Sequence, residues 1–101
     1  EIEASAVPLF GGALQLATEG NLTLGDRTNR DYVKRTVTID PALSGPLQSA
    51  LFDPQTSGGL LISAPQDRVD DLSAQLVSGG DLGTVIGRVT ESVPGTISVS
   101  A

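Results

Sequence analysis

Residues 51–62, LFDPQTSGGLLI, constrain the fold more than any other stretch of this chain. Two apolar runs flank a polar turn that holds Pro54 and the pair Gly58-Gly59. Proline fixes φ, and glycines admit positive φ or the close approach of another backbone. The run that follows, residues 59–64 (GLLISA), has the length and continuity of a buried strand rather than a helix. The chain is therefore expected to bend here and feed a strand into a sheet interior. Thr56 and Ser57 add hydroxyls, and successive N–H groups in such a turn can cradle an anion. The GxxxxGK[ST] pattern of a P-loop is absent. The plain alternative is a tight turn that only lets a helix or another backbone pack close.

The rest of the chain fits around that turn. Residues 1–6 alternate like a short half-buried strand. Pro8 suits a first helical position. Leu9, Ala13, Leu16 and Ala17 share one helical face, with Gly11-Gly12 deferring the helix start and residues 18–20 as the stop. Residues 21–31 are polar and turn-rich and read as a loop. Residues 32–40 alternate, are rich in β-branched side chains, and predict a strand that Pro41 ends. Gly45-Pro46 break the chain before one or two helical turns over residues 46–51.

Residues 65–78 carry the clearest helical pattern. Val69, Leu72, Leu76 and Val77 form one stripe, Asp67, Asp70 and Asp71 lie early in it, and Gly79-Gly80 end it. Residues 82–91 predict a strand with Gly87 as a possible bulge. A Pro94-Gly95 turn and a last strand over residues 96–100 predict a terminal hairpin with it. The sum is one α+β domain (α/β layered) over residues 1–101, a mixed sheet with helices packed on it.

Composition narrows the chemistry. With 101 residues the chain fits one domain. Aromatics are 3%, namely Phe10, Tyr32 and Phe52, so the core is built from Leu, Val, Ile and Ala. The net charge of −6 argues against nucleic acid as a partner, because phosphate backbones need clustered cations. The one basic neighbourhood, Arg27, Arg30, Lys34 and Arg35, reads either as a solvated loop or as an anion contact. Absence of Cys and His excludes disulfides, Cys/His zinc sites and His-based catalytic triads within this chain. No apolar run reaches the ~20 residues of a membrane span. No secretory signal is visible in the first residues, and the lack of Cys fits a cytoplasmic protein. The chain starts without Met and with a strand under way, so it is expected to be part of a longer protein.

Asp53-Pro54-Gln55-Thr56-Ser57-Gly58-Gly59-Leu60-Leu61 resembles the signature segment in the C-terminal domain of the selenophosphate synthetase (selenide, water dikinase) family. Residues 5–17 (SAVPLFGGALQLA) resemble the Val-Pro…Gly-Ala helix start of that family. Residues 25–33 (GDRTNRDYV) resemble its Gly-Gly-Thr…Asn-Arg-x-Tyr loop, and residues 82–91 (LGTVIGRVTE) resemble its closing strand. The order agrees along nearly the whole chain. The sequence departs from the pattern where Asp26 and Arg27 follow Gly25 in place of a second Gly and a Thr, and where Gly11 replaces a common proline.

The resemblance implies the later part of a C-terminal domain of the type shared with aminoimidazole ribonucleotide synthetase, with partial likeness to the ferredoxin-like arrangement. It implies a parent homodimer that converts selenide, ATP and water to selenophosphate, AMP and phosphate. ATP and Mg²⁺ would be bound mainly by an N-terminal ATP-binding domain, which would also hold the reactive Cys or selenocysteine, a nearby Lys and metal-binding aspartates. This chain would then be a wall of the cleft, without catalytic or metal-ligating residues, and inactive alone. The candidate ligand-facing residues are Gln55, Thr56, Ser57, Gly58 and Gly59. Thr28, Asn29 and Arg30 form a secondary candidate loop. A non-catalytic module for phosphate, nucleotide or dimerisation is the alternative.

Overall fold

A computed structural model describes all of residues 1–101. Three short strands, β1 (Ile2–Glu3), β2 (Val37–Ile39) and β3 (Ile97–Ser100), form a sheet in the order β1-β3-β2. The last strand is thus the central one, and it runs parallel to both neighbours. Val99 faces Ile2 on one side and Ile39 on the other. There are four α-helices: α1 (Ala13–Thr18), α2 (Leu24–Val33), α3 (Gly45–Phe52) and α4 (Val69–Ser78); α3 brings Leu47 and Leu51 to the core, and α1 and α2 pack on α3. The expected α+β class holds. The sheet was expected to be mixed, but its three strands are all parallel; only an isolated bridge from Gly87 to Ile2 is antiparallel, with Glu3 N donating to Ile86 O and Arg88 N to Glu1 O, each at 2.9 Å.

The helix ends follow local chemistry. α1 and α4 each close with a glycine at positive φ, Gly20 and Gly80, both at 89°. After each, the next N–H bonds five residues back, Asn21 to Leu16 O and Asp81 to Leu76 O, both at 3.0 Å. That is the Schellman arrangement, which satisfies the last carbonyls of a helix. α3 starts at Ser44, whose Oγ accepts from Leu47 N at 3.4 Å, with Pro46 in the first turn. These helices match the sequence expectation, α4 after a short 3₁₀ turn at Gln66–Arg68.

Several expectations are corrected. Residues 21–31 are not a loop: most of them build α2, a helix whose inward face is polar and therefore lacks apolar periodicity. The strand expected over residues 32–40 shrinks to β2, because Tyr32 and Val33 finish α2 and Thr36 N bonds Val33 O. The strand over residues 1–6 ends at Glu3, where Ala4–Ala6 turn in a 3₁₀ helix that buries Ala4. Residues 59–64 form no strand and make no main-chain hydrogen bond. No strand of this chain lies beside them, so Leu60 is 87% and Leu61 70% exposed. The terminal hairpin does not form, since β1 lies between residues 86–88 and β3. Val77 points to solvent, while Val69, Leu72 and Leu76 are half-buried.

The apolar core is small. Ala4, Leu43 and Val99 are buried, with Ile2, Val37, Ile39, Leu47 and Leu51 packed around them. A second, polar interior lies between α2 and α3. The Arg30 guanidinium donates from Nε to Asp26 Oδ1 at 2.6 Å, from Nη1 to Gln48 Oε1 at 3.2 Å and from Nη2 to Ser49 Oγ at 3.1 Å. It also stacks 4.8 Å from the Phe52 ring centroid. Gln48 Nε2 in turn donates to Leu43 O at 2.8 Å, tying the clamp to the apolar core. Asp26 and Ser49 are buried, and no buried side-chain polar atom lacks a partner.

Two measurements check this packing. Arg30→Lys keeps the charge but loses the planar fork, so it is expected to cost about 1–2 kcal/mol in urea unfolding. A Lys variant as stable as the parent chain would contradict the clamp. At Gly87 a Cβ would overlap the Glu1 carbonyl oxygen. Gly87→Ala is therefore expected to destabilise by about 1–3 kcal/mol, an overpacking cost. A neutral substitution there would mean that the bridge to Ile2 does not form.

Candidate functional site

The turn over residues 55–59 leaves α3 and is held at its start by α2. Asn29 Nδ2 donates to Phe52 O at 2.8 Å. Thr23 Oγ1 donates to Asp53 Oδ1 at 2.9 Å. The Pro54 ring packs directly on Gly25, where a Cβ would overlap ring carbon Cγ. Beyond Pro54 the support ends. No main-chain hydrogen bond links residues 54–64 to another part of the chain; Thr56-Ser57 form a tight turn that directs Gly58 N–H toward Gln55 O. At Gly58 a Cβ would sit 3.2 Å from the Gln55 side chain, so the first and fourth turn residues lie against each other.

The turn borders a cleft of about 410 Å³. Gln55, Ser57, Gly58 and Gly59 line it, and Thr56 does not. Apolar side chains on and beside α1, Leu9, Phe10, Leu16 and Leu22, line it as well, as does Thr23. Asp26 and Asp53 are its charged residues, and no Lys or Arg lines the cleft. The site thus combines N–H and hydroxyl groups, apolar side chains and negative charge, with no cation of its own.

Thr28, Asn29 and Arg30 lie on α2, not in a loop, and none of them lines this cleft. Thr28 Oγ1 donates back to Leu24 O at 3.5 Å, Asn29 to Phe52 O, and Arg30 to the clamp. Arg30 lines a separate hollow of about 190 Å³ with Val33, Lys34 and Phe52. Of the basic neighbourhood, Arg27 and Arg30 lie on α2 while Lys34 and Arg35 follow its end, and Lys34 pairs with Asp31 at 3.6 Å. Sequence reasoning missed Asp26, Ser49 and Thr23. Only the spacing of Asp26 and Arg30, one helical turn apart, could have signalled the first.

The chain is similar to curated selenide, water dikinases. The protein of that name from Clostridium botulinum (strain Eklund 17B / Type B) is 34% identical over 91 residues, 90% of this chain and 26% of its own length. The one from Clostridioides difficile (strain 630) is 36% identical over 90 residues, 88% of this chain and 26% of its own. The one from Nitratidesulfovibrio vulgaris (strain DSM 19637 / Miyazaki F) is 31% identical over 96 residues, 95% and 27%. No family model matches the chain. No solved structure matches it. The chain thus spans about a quarter of the length of these relatives, 26–27%. Along nearly all of its own length, it is a homologue of one segment of the selenide, water dikinases.

Proposed function

We propose that the chain is the later part of the C-terminal domain of a selenide, water dikinase, and that its glycine turn is a ligand-facing wall of the active-site cleft. In this reading the whole enzyme makes selenophosphate from selenide and ATP, releasing AMP and phosphate. It works in the cytoplasm as a homodimer, and its N-terminal ATP-binding domain is the partner of this segment.

One observation carries the reading. The main-chain N–H groups of the turn bond to no other element of the chain, and four of its five residues line a cleft. Phosphoryl transfer relies on positioning and on stabilising charge as it develops. Gln55, Ser57, Gly58 and Gly59 supply donors for orienting an anionic ligand. A polyphosphate needs cations as well, and this cleft contributes only Asp26 and Asp53. The neutralising charge therefore belongs to the other domain. No three Asp, Glu, His or Cys side chains converge in this chain, so its residues do not fit a magnesium site of their own. Exposed Phe10, Leu60 and Leu61 support a larger body around the segment, as apolar patches of this kind mark contact surfaces.

The test is AMP formation from ATP and selenide by the full-length protein. Gly58→Val crowds Gln55 and distorts the donor wall. It is expected to lower kcat/KM by at least about tenfold. A full-length protein without selenide-dependent AMP formation contradicts the proposal. So does a native product that lacks an ATP-binding domain, which would favour a non-catalytic phosphate, nucleotide or dimerisation module. The 101-residue chain alone is expected to form no AMP.

A further inference from the structure

Two residues at the start of α2 break ordinary helix preferences, and both do so where the turn touches them. Thr23 occupies the N-cap but makes no capping bond. Its hydroxyl goes to Asp53 instead. Gly25 lies in the first turn of the helix, where glycine is a poor choice. The Pro54 ring fills the space that a side chain would take. Asn29, one helical turn further, spends its amide on Phe52 O. Local rules broken at one place and compensated there mark a constrained site.

Three consecutive residues, Phe52, Asp53 and Pro54, are thus held by α2 through three different kinds of contact. Proline fixes its own φ, so the direction in which the chain leaves Pro54 follows from where its ring sits. Immediately after it the hydrogen bonds to other elements stop. We infer that Gly25 and Asn29, together with the Thr23 hydroxyl that bonds Asp53, are positioning residues for the ligand-facing turn: Gly25 and Asn29 lie outside the cleft and act on ligand by fixing where that turn begins, and Thr23 does so from its rim. The inference rests on the reading that the turn faces ligand. It gives residues 25–33 a role that requires no contact with substrate, and it places Asn29 in the support of the site rather than in its wall.

A size exchange across the Gly25–Pro54 contact tests this in the full-length protein. Gly25→Ala is compared with the Gly25→Ala/Pro54→Ala double variant, with Gly58→Val as the turn control. Three quantities are read: kcat/KM for ATP in selenide-dependent AMP formation, the urea midpoint, and amide exchange of a peptide covering residues 52–58. Gly25→Ala is expected to speed exchange in that peptide and to lower kcat/KM by at least about fivefold, since small misplacements cost large factors. Removing the ring in the double variant relieves the overlap but also frees φ at residue 54, so it is expected to recover part of the loss in both readouts while staying below the parent protein.

If Gly25→Ala leaves both readouts unchanged, or if the double variant is no better than the single, the inference is overturned. A fall in the urea midpoint with unchanged kcat/KM also overturns it, leaving a structural contact only. Should Gly25→Ala fail to fold, Asn29→Ala removes a single hydrogen bond and is expected to show the same exchange and kcat/KM pattern more weakly. Silence in both readouts overturns the inference there too. Damage from Gly58→Val with Gly25→Ala silent sinks the anchor and keeps the turn's role. Faster exchange in Gly25→Ala with Gly58→Val silent in kcat/KM sinks the turn's role and, with it, the inference.

Discussion

The Arg30 guanidinium joins the two helices that present the turn. Its three donors reach Asp26 on its own helix and Gln48 and Ser49 on α3, and its plane lies over Phe52. Because α2 lacks a continuous apolar stripe, this polar fork supplies the directional contact that a hydrophobic seam would otherwise give. A fork is also more specific than grease. Its nitrogens are fixed relative to one another, so satisfying all of them sets the rotation of α2 against α3. Once that rotation is set, Thr23, Gly25 and Asn29 fall opposite Asp53, Pro54 and Phe52. Without it, those contacts have no common frame.

The same constraint explains which parts of the fold were legible in the sequence. α4 announces itself by Val69, Leu72 and Leu76 and by the Gly79-Gly80 stop, and α3 by Ser44 and Pro46. α2 does not, because its buried face carries Asp26 and Arg30, residues that composition assigns to solvent. Residues 59–64 mislead in the opposite direction. Their apolar run reads as a buried strand, yet burial and pairing require a neighbour that this chain does not place there. The terminal hairpin failed for a topological reason. The local turn at Pro94-Gly95 forms, but β1 takes the place beside β3. The turn residues 55–59 were identified from their own chemistry and from a family resemblance, and the structure sets most of them at a cleft. Their support by α2 depended on partners 23 to 30 residues away, which no local pattern discloses.

The distribution of order within the chain follows from these contacts. Leu43, Val99 and Ala4 tie the sheet to α3, and the Arg30 clamp ties α3 to α2. The turn begins at the end of that rigid path and leaves it at Pro54. Gly58-Gly59 then lead into a segment with exposed Leu60, Leu61 and Ile62 and no hydrogen bonds of its own. A segment built this way is fixed at one end and free of main-chain partners at the other. That suits a surface completed by another part of a larger enzyme, where the second end is set on assembly. Under the proposed function it separates two roles within one short stretch: residues 52–54 would position, and residues 55–59 would present donors.

The most direct test of this account is residue-resolved amide hydrogen exchange on the 101-residue chain. A sharp boundary is expected at Pro54: amides of α3 through Asp53 protected, and those of residues 55–62 exchanging at the rate of an unstructured chain. Protection of residues 59–64 comparable to that of α3 would show that they are already paired as a strand, and would contradict the claim that the turn is pinned on one side only.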